Sequence, residues 1–272
     1  RMEAELEVVR RLHRLILPKE EELSNTADLD IATYVQTADE VGGDYHDVWR
    51  RDGRVEIGIG DVTGHGLESG MVMLMVQAAV RTLSASGETD PVRTMNALNR
   101  LVYDNTRRMR SHKNMTLSLL SYDNGKIQIS GQHEDALIVR ANGEVEQIDT
   151  LYLGFPLGLE RDISAFVDQA TIDLDPGDVM LLYTDGIIEA IDAEKHLYGP
   201  ERLLEILVKH HDHPAPEICQ AVVDDVYGHI GRSAILDDIT LIVIKRQDSQ
   251  RQDSQHQDCL LYTSPSPRDR TR

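Results

Sequence analysis

The sequence predicts an α+β fold in which sheets pack on each other and helices cover them. Three observations favour this class. Short β-rich or alternating runs recur along most of the chain, Asp-Gly and Asn-Gly dipeptides join several of them into hairpins, and four longer segments have the apolar spacing of helices. Because a hairpin pairs its two strands antiparallel, the sheets are expected to be largely antiparallel.

Ten segments have the composition and alternation of strands. They are residues 31–36, 45–49, 55–59, 115–121, 126–130, 136–140, 145–148, 165–172, 179–183 and 239–244. Asp52-Gly53, Asn124-Gly125 and Asn142-Gly143 are dipeptides that a type I′ turn prefers, so three tight hairpins are predicted between neighbouring strands.

Helices are predicted over residues 67–84, 91–109, 200–210 and 215–230. Asp90 suits the N-cap of the second helix, and Pro91 suits its first position. In the last helix Ile218, Val222 and Val226 recur every fourth residue, which indicates one apolar face that packs on a sheet.

The composition excludes several classes of function. The chain has 272 residues, with 47 Asp and Glu against 28 Lys and Arg, and a formal charge of -19. This negative field disfavours non-specific binding to nucleic acid or to anionic membranes and attracts divalent cations. No apolar run approaches the ~18 residues of a membrane span. Two cysteines do not form a disulfide framework, so a cytoplasmic location is expected.

The domain organisation predicted from the sequence has four parts. Residues 27–245 form one continuous domain. Residues 1–26 form a signalling helix with an apolar heptad seam, expected to follow a sensory or receiver domain further upstream. The same seam could join two copies of the chain in a homodimer. Residues 246–258 are a polar repeat expected to be disordered. Residues 259–272 resemble a translated sequencing adaptor and are set aside as an expected artefact.

Two aspartates are predicted to face each other across the first hairpin. Asp44 lies eight residues before Asp52, and Asp61 lies eight residues after Gly53. A hairpin centred on this dipeptide without bulges therefore pairs the two carboxylates. Like charges directly opposite are destabilising, so the pair needs a cation, a shared proton or a bulge, of which a bound metal is the simplest.

A second pair is predicted at the ends of two later strands. Asp185 follows the strand at 179–183, and Asp237 precedes the strand at 239–244. If these strands are antiparallel neighbours, both carboxylates meet at one sheet edge. Four clustered carboxylates form an all-oxygen site suited to Mg²⁺ or Mn²⁺. Two such ions activate a water for attack on a phosphoryl group.

Each motif taken singly also has an ordinary structural interpretation. VGGDYHD at 41–47 suits a loop that enters a strand, and GDVTGHG at 60–66 suits the start of a helix, whose exposed N–H groups would also suit phosphate. TDG at 184–186 and the pair Asp237-Asp238 are common turn compositions. Their joint occurrence at strand ends favours one shared site.

The ordered motifs VGGDYHD, GDVTGHGLESG, LLYTDGIIEA and DDITLIVI, with the helix before them, span residues 12–245 and resemble those of the bacterial PPM-type serine/threonine phosphatases. The most similar branch is that of the sporulation stage II E and stress-response sigma-regulator phosphatases. The resemblance implies an α+β fold, an αββα four-layer sandwich of two mainly antiparallel sheets flanked by helices. It also implies a binuclear centre of two Mn²⁺ or Mg²⁺ ions at one end.

The resemblance also implies the roles of individual residues. Asp61 would bridge both metals, and the carbonyl of Val62 would bind one of them. Asp185 and Asp237 would complete the shell of the other metal, and Asp44 would act at the second metal directly or through water. These four aspartates are therefore the predicted catalytic residues.

Three further residues are weaker candidates. Asp238 lies one position beyond the matching aspartate, and Asp47 lies at the end of the first motif. His65 stands in a different Gly-His context from the general-acid histidine of eukaryotic relatives, so a helix-start role is equally open for it.

The chain also departs from the family pattern in two places. Where relatives commonly have an Ala-Gly-His-Pro-Pro-like stretch, this chain has SGQHEDAL at 130–137, a segment with possible substrate contact. No arginine before Asp44 corresponds to the phosphate-binding arginine of the eukaryotic relatives, which leaves the metals to neutralise the phosphate.

The leading functional hypothesis from the sequence is a phosphatase acting on phosphoserine or phosphothreonine of an anti-anti-sigma protein of the STAS type. A catalytically silent regulatory module with the same fold is one alternative. Clustered, unpaired aspartates disfavour it, because a scaffold gains nothing from such charge. A phosphohydrolase for small molecules is a second alternative, which the sequence leaves open.

Overall fold

The computed structural model describes Leu23 and residues 28–38 and 42–247. Most of the predicted N-terminal helix, nearly all of the polar repeat and the whole adaptor-like segment lie outside these residues. The strands are β1 (Leu29–Gln36), β2 (Tyr45–Arg51), β3 (Arg54–Val62), β4 (Met115–Asp123), β5 (Lys126–Ser130), β6 (Ala136–Val139), β7 (Val145–Ile148), β8 (Gln169–Asp173), β9 (Val179–Tyr183) and β10 (Ile239–Arg246). The α-helices are α1 (Leu67–Ala85), α2 (Pro91–Met109), α3 (Asp185–Ile188), α4 (Pro200–His210) and α5 (Ala215–Ile230).

The strands form two five-stranded sheets. Sheet A has the order β1-β10-β9-β6-β7, sheet B has the order β2-β3-β4-β5-β8, and all of their strand pairs are antiparallel. One apolar cluster lies between the sheets and contains Ile57 and Ile242. Two others lie under the helices, one joining sheet A to α4 and α5 and one joining sheet B to α1 and α2. The predicted four-layer αββα sandwich is confirmed.

Local sequence signals account for most element boundaries. The carboxylate of Asp90 accepts a hydrogen bond from the N–H of Arg93 at 3.0 Å, which caps α2 as predicted. The apolar positions of α5 are buried on one face, and they include Ile218, Val222 and Val226. These residues place α5 on the outer face of sheet A, where it covers β1 and β10.

The strand predicted at 165–172 is shorter than expected. Ser164–Phe166 forms a 3₁₀ turn, and β8 begins only at Gln169. Its partner β5 ends at Ser130, which pairs with Gln169, so the earlier residues have no strand to pair with. Phe166 instead stacks on Phe155 with ring centroids 5.0 Å apart.

One of the three turn predictions is wrong in type. Asp52 and Asn124 both have positive φ, and each is followed by a glycine of positive φ, as a type I′ turn requires. The β6–β7 hairpin has a longer loop, in which the N–H of Arg140 bonds the carbonyl of Glu144 at 2.8 Å. Only Gly143 in this loop has positive φ, so the turn is a type I turn closed by a left-handed glycine.

β10 extends two residues further than predicted and ends at Arg246, which pairs with Leu29. The Arg246 side chain donates to the carboxylate of Asp28 at 3.2 Å and to the carbonyl of Leu174 at 2.7 Å. The first residue of the predicted linker is therefore part of sheet A. Across the described ranges, no helix is both long enough and apolar enough to cross a membrane.

Candidate metal centre

The hairpin of β2 and β3 delivers the first two candidate ligands. Its residues pair at equal distances from Asp52-Gly53, as predicted, up to the pair Tyr45 and Gly60. Asp44 comes directly before β2, and Asp61 lies near the end of β3. The predicted register is thus confirmed, and it carries both aspartates to the same end of the hairpin.

The second pair lies at the matching edge of sheet A. β9 and β10 are antiparallel, with Tyr183 opposite Leu241, so Asp185 follows one strand and Asp237 precedes the other at the same edge. Gly186 allows this approach: a Cβ there would lie 2.0 Å from the Asp238 carbonyl oxygen, closer than any side chain tolerates.

The carboxylates influence each other strongly. Burial raises the pKa of Asp61 to about 7, and the charges of Asp185 and Asp237 add to this shift. Burial also raises the pKa of Asp185 to about 6, with Asp237 contributing next. The pKa of Asp44, which is 1% exposed, is raised well above its usual range by burial and then by Asp61. The four predicted aspartates therefore form one electrostatic cluster.

The donor set of this cluster fits hard divalent cations. All of its donor groups are oxygens, and no ion pair among the described residues joins Asp44, Asp61, Asp185 or Asp237 to a Lys, Arg or His. Over the same residues no group of three or more His, Cys, Asp or Glu is already arranged to hold a metal ion. The chemistry of the donor atoms therefore fits Mn²⁺ or Mg²⁺.

The carbonyl of Val62 lies on the side of β3 that faces the Asp44 loop. Val62 is opposite Met115, whose own N–H and C=O both bond to Leu157, at 3.0 and 2.7 Å. The Val62 carbonyl is therefore directed away from β4. A Cβ on Gly43 would lie 2.8 Å from this oxygen, which sets it beside the loop that carries Asp44.

Asp238 has a structural role at this edge. It is 2% exposed, and its carboxylate accepts hydrogen bonds from the N–H groups of Ala38 at 2.8 Å and Gly43 at 2.7 Å. These bonds hold the segment before Asp44 against the start of β10. With an oxygen bonded to each of these backbone groups, Asp238 anchors the Asp44 loop, and its charge also acts on Asp44 and Asp61.

Asp47 is separated from the cluster. It is fully buried, and its carboxylate accepts two hydrogen bonds from Arg81 of α1, at 2.7 and 2.6 Å. The Arg81 guanidinium also lies over the ring of Trp49, 5.0 Å from its centroid. A bidentate arginine satisfies the carboxylate, so Asp47 joins β2 to α1 and is not a candidate ligand.

Two contributors to the site were missed from the sequence. The hydroxyl of the fully buried Thr184 donates to the Asp44 carboxylate at 2.8 Å and accepts from the N–H of Thr240 at 3.1 Å. Burial and the nearby charge of Asp185 raise the pKa of Glu134 to about 7, which adds a fifth carboxylate to the edge. Thr184 lay within the TDG motif and Glu134 within the divergent 130–137 segment, and only tertiary packing assigns them to the site.

The positions of four other histidines are also defined. His65 is exposed in the loop between β3 and α1, where both of its predicted roles stay open. His210, His211 and His213 lie at the α4–α5 connection, where His211 Nδ1 is 2.7 Å from the Val208 carbonyl oxygen.

Comparison with known proteins identifies one matching family model and several relatives. A family model described as stage II sporulation protein E (SpoIIE) matches residues 51–247. The chain is 26% identical to protein IcfG from Synechocystis sp. over 89% of its own length but only 41% of that relative. It is also 26% identical to the phosphoserine phosphatase RsbU from Bacillus subtilis, over 90% of this chain and 71% of RsbU.

Solved structures share the fold. The SiaA-PP2C domain of Pseudomonas aeruginosa superposes with a TM-score of 0.77 at 22% identity, covering 91% of this chain and 97% of that one. The catalytic domain of the serine/threonine phosphatase PstP, solved in complex with two manganese ions, superposes with a TM-score of 0.57 at 16% identity, covering 81% of this chain and 100% of that domain.

Proposed function

The chain belongs to the stage II sporulation protein E family, a branch of the bacterial PPM-type phosphatases, and we propose that it hydrolyses phosphoserine or phosphothreonine on a partner-switching regulator. We further propose that two Mn²⁺ or Mg²⁺ ions are held by the four clustered aspartates and the Val62 carbonyl. The cellular substrate would be a small anti-anti-sigma protein of the STAS type. Similarity to the phosphoserine phosphatase RsbU supports a phosphoserine substrate.

One observation carries the proposal. Burial and neighbouring carboxylates raise the pKa of Asp44, Asp61 and Asp185, and no ion pair with a basic side chain in the described part of the chain offsets them. Such an arrangement costs folding free energy unless a cation occupies it. When bound, the cations would lower the pKa of a water molecule and neutralise the phosphoryl oxygens.

The chain's own contribution is to position these groups. Thr184 orients the Asp44 carboxylate, and Asp238 anchors the backbone that carries it. Asp61 is coupled to the second pair, since the charges of Asp185 and Asp237 both act on it. A water aligned by these carboxylates would attack phosphorus in line with the serine or threonine oxygen, which leaves as the alcohol.

The test uses the full 272-residue chain. Hydrolysis of p-nitrophenyl phosphate should depend on Mn²⁺ and fall at least about 100-fold in Asp61→Asn, because losing even an outer partner of a metal site typically costs about 10–100-fold. Asp173→Asn is the matched control, since Asp173 is exposed and its only ion pair among the described residues is with Lys126 in sheet B, at 2.8 Å.

The substrates separate the competing functions. Faster turnover of a phosphorylated STAS protein than of the aryl phosphate would support the proposed class. Turnover of small phosphate esters with none of phosphoproteins would indicate a small-molecule phosphohydrolase. A folded protein that turns over neither substrate in Mn²⁺ or Mg²⁺ would indicate the silent regulatory module.

Regulation through residues 1–26 is a further part of the proposal. The heptad seam there would couple an upstream sensory or receiver domain to the metal edge, or join two copies of the chain. Equal metal affinity and turnover for a variant that begins at Ala27 and for the longer, signal-activated protein would reject this coupling.

A further inference from the structure

The His133 ring lies between the two sheets at their acidic edge. Its Nδ1 is 2.9 Å from the hydroxyl of Thr116, and its Nε2 is 3.0 Å from the carbonyl oxygen of Tyr183. A carbonyl only accepts, so Nε2 carries the hydrogen and Nδ1 accepts from the Thr116 hydroxyl. The ring therefore has one hydrogen bond to each sheet.

Both partners adjoin candidate metal ligands. Thr116 in β4 is the direct cross-strand neighbour of Asp61, and Tyr183 is the last residue of β9, two positions before Asp185. Asp61 belongs to sheet B, whereas Asp185 follows a strand of sheet A. The His133 imidazole thus bridges the two sheets that carry Asp61 and Asp185, and the distance between these sheets sets the separation of the two carboxylates.

The backbone that carries the ring is fixed by hydrogen bonds, and the ring is in its neutral form. The His133 N–H donates to the hydroxyl of Thr150 at 2.9 Å, and that hydroxyl, which is fully buried, donates back to the His133 carbonyl. Burial lowers the pKa of His133 to about 4. Nδ1 therefore remains an acceptor at neutral pH, and both bonds to the sheets persist.

We propose that His133 is a positioning residue that sets the separation of Asp61 and Asp185 and thereby the affinity of the edge for its divalent cations. This inference rests on the proposed metal-dependent function. It also gives the divergent 130–137 segment an internal role, because both ring nitrogens bond within the protein and neither is available to a substrate.

The experiment measures Mn²⁺ affinity by titration calorimetry on the full chain, together with the free energy of unfolding. His133→Phe keeps an aromatic ring but removes both bonds, and it should weaken Mn²⁺ binding by about 10–100-fold, as expected for groups that orient metal ligands. The KM for a phosphorylated substrate at saturating Mn²⁺ should not change.

Asn99→Leu provides a control for general destabilisation. Asn99 is fully buried and joins α2 to a loop through bonds to the Glu160 carbonyl at 2.9 Å and the Gly158 N–H at 2.8 Å. Its loss should lower stability comparably and leave Mn²⁺ affinity unchanged. If His133→Phe does not fold, Thr116→Val removes one of the two bonds and should give a smaller loss of affinity, of about threefold or more.

The outcomes are distinct. Mn²⁺ affinity within twofold of wild type in the folded variant, or a loss no larger than that in Asn99→Leu, would overturn the role of His133. If Asp61→Asn abolishes binding in the same assay, the proposed function survives that result. A wild-type protein that binds no Mn²⁺ would instead reject the proposed function itself.

Discussion

Asp178 and Asp185 lie at opposite ends of β9, and the protein surrounds them differently. Asp178 is 2% exposed and accepts hydrogen bonds from the Arg140 guanidinium at 2.7 Å and from the N–H groups of Ala141 and Asp175, both at 2.9 Å. Asp185 faces other carboxylates, and its pKa is raised to about 6.

The difference separates a structural carboxylate from one that is available to a ligand. Around Asp178 the protein supplies a cation and backbone donors, which compensate the burial of charge. Around Asp185 burial and the charge of Asp237 both favour the protonated form, so a bound proton or cation would supply the missing compensation. Removing the Asp185 charge should therefore lower activity without lowering stability, whereas removing the Asp178 charge should lower stability without lowering activity.

The largest expected effect is on activity at Asp185. Asp185→Asn should reduce Mn²⁺-dependent phosphatase activity by at least about 100-fold, because a predicted ligand is lost. The free energy of unfolding of the metal-free protein should not fall at neutral pH, since one of several repelling charges is removed. Phosphatase assays and urea denaturation in chelator check the two parts, and a destabilised Asp185→Asn would contradict the comparison.

Asp178→Asn should behave in the reverse manner. Arg140 and the backbone donors lose a charged acceptor, so the free energy of unfolding should drop by about 2–3 kcal/mol. Activity per folded molecule should remain at the wild-type level, because Asp178 lies at the far end of β9. Denaturation curves and assays at a temperature where the variant is folded provide the measurement, and lost activity in the folded variant would refute this assignment.

A smaller effect is expected at Gly42. A Cβ there would lie 2.4 Å from the Asp238 carboxylate and 2.8 Å from Thr37, so Gly42→Ala should displace the anchored loop and cost about 1–3 kcal/mol. Mn²⁺ affinity should fall as Asp44 shifts. Gly228→Ala in α5 is the control, because nothing lies within 4 Å of its Cβ position and alanine favours a helix by about 0.5–1 kcal/mol.

The smallest predicted effect is a pH dependence of the metal-free protein. Asp61 and Asp185 have pKa values of about 7 and about 6, above the ordinary value of about 4 in an unfolded chain. The folded state therefore binds more protons between about pH 4 and 7, and the contribution of these groups to stability falls as pH rises through that window.

Added Mn²⁺ should reverse the trend, because it binds the deprotonated carboxylates. Urea denaturation at pH 5, 6 and 7, with chelator and then with Mn²⁺, measures both slopes. The difference between Asp185→Asn and wild type isolates the share of one group. An identical pH slope in the two metal-free proteins would refute the assignment to Asp185.

Much of the fold could be predicted because its signals are local. The bounds of β9 and α2 follow from an uninterrupted β-rich run and from the Asp90 cap, and the β2–β3 register follows from turn chemistry at Asp52-Gly53. The late start of β8 could not be predicted, because it depends on where its partner β5 ends. The residues around a strand boundary do not indicate it when the boundary is set by a partner strand distant in the chain.

The sequence by itself determined the two-sheet architecture, the hairpin register and the four aspartates at strand ends, because these depend on periodicity and turn residues. Only the tertiary structure showed why Asp44 and Asp47, three residues apart in one motif, have different surroundings. Arg81 of α1 neutralises Asp47, whereas Asp44 meets other carboxylates and the Thr184 hydroxyl. The physical reason is that a carboxylate's role depends on the charges that folding brings to it, and many of these come from segments distant in the chain.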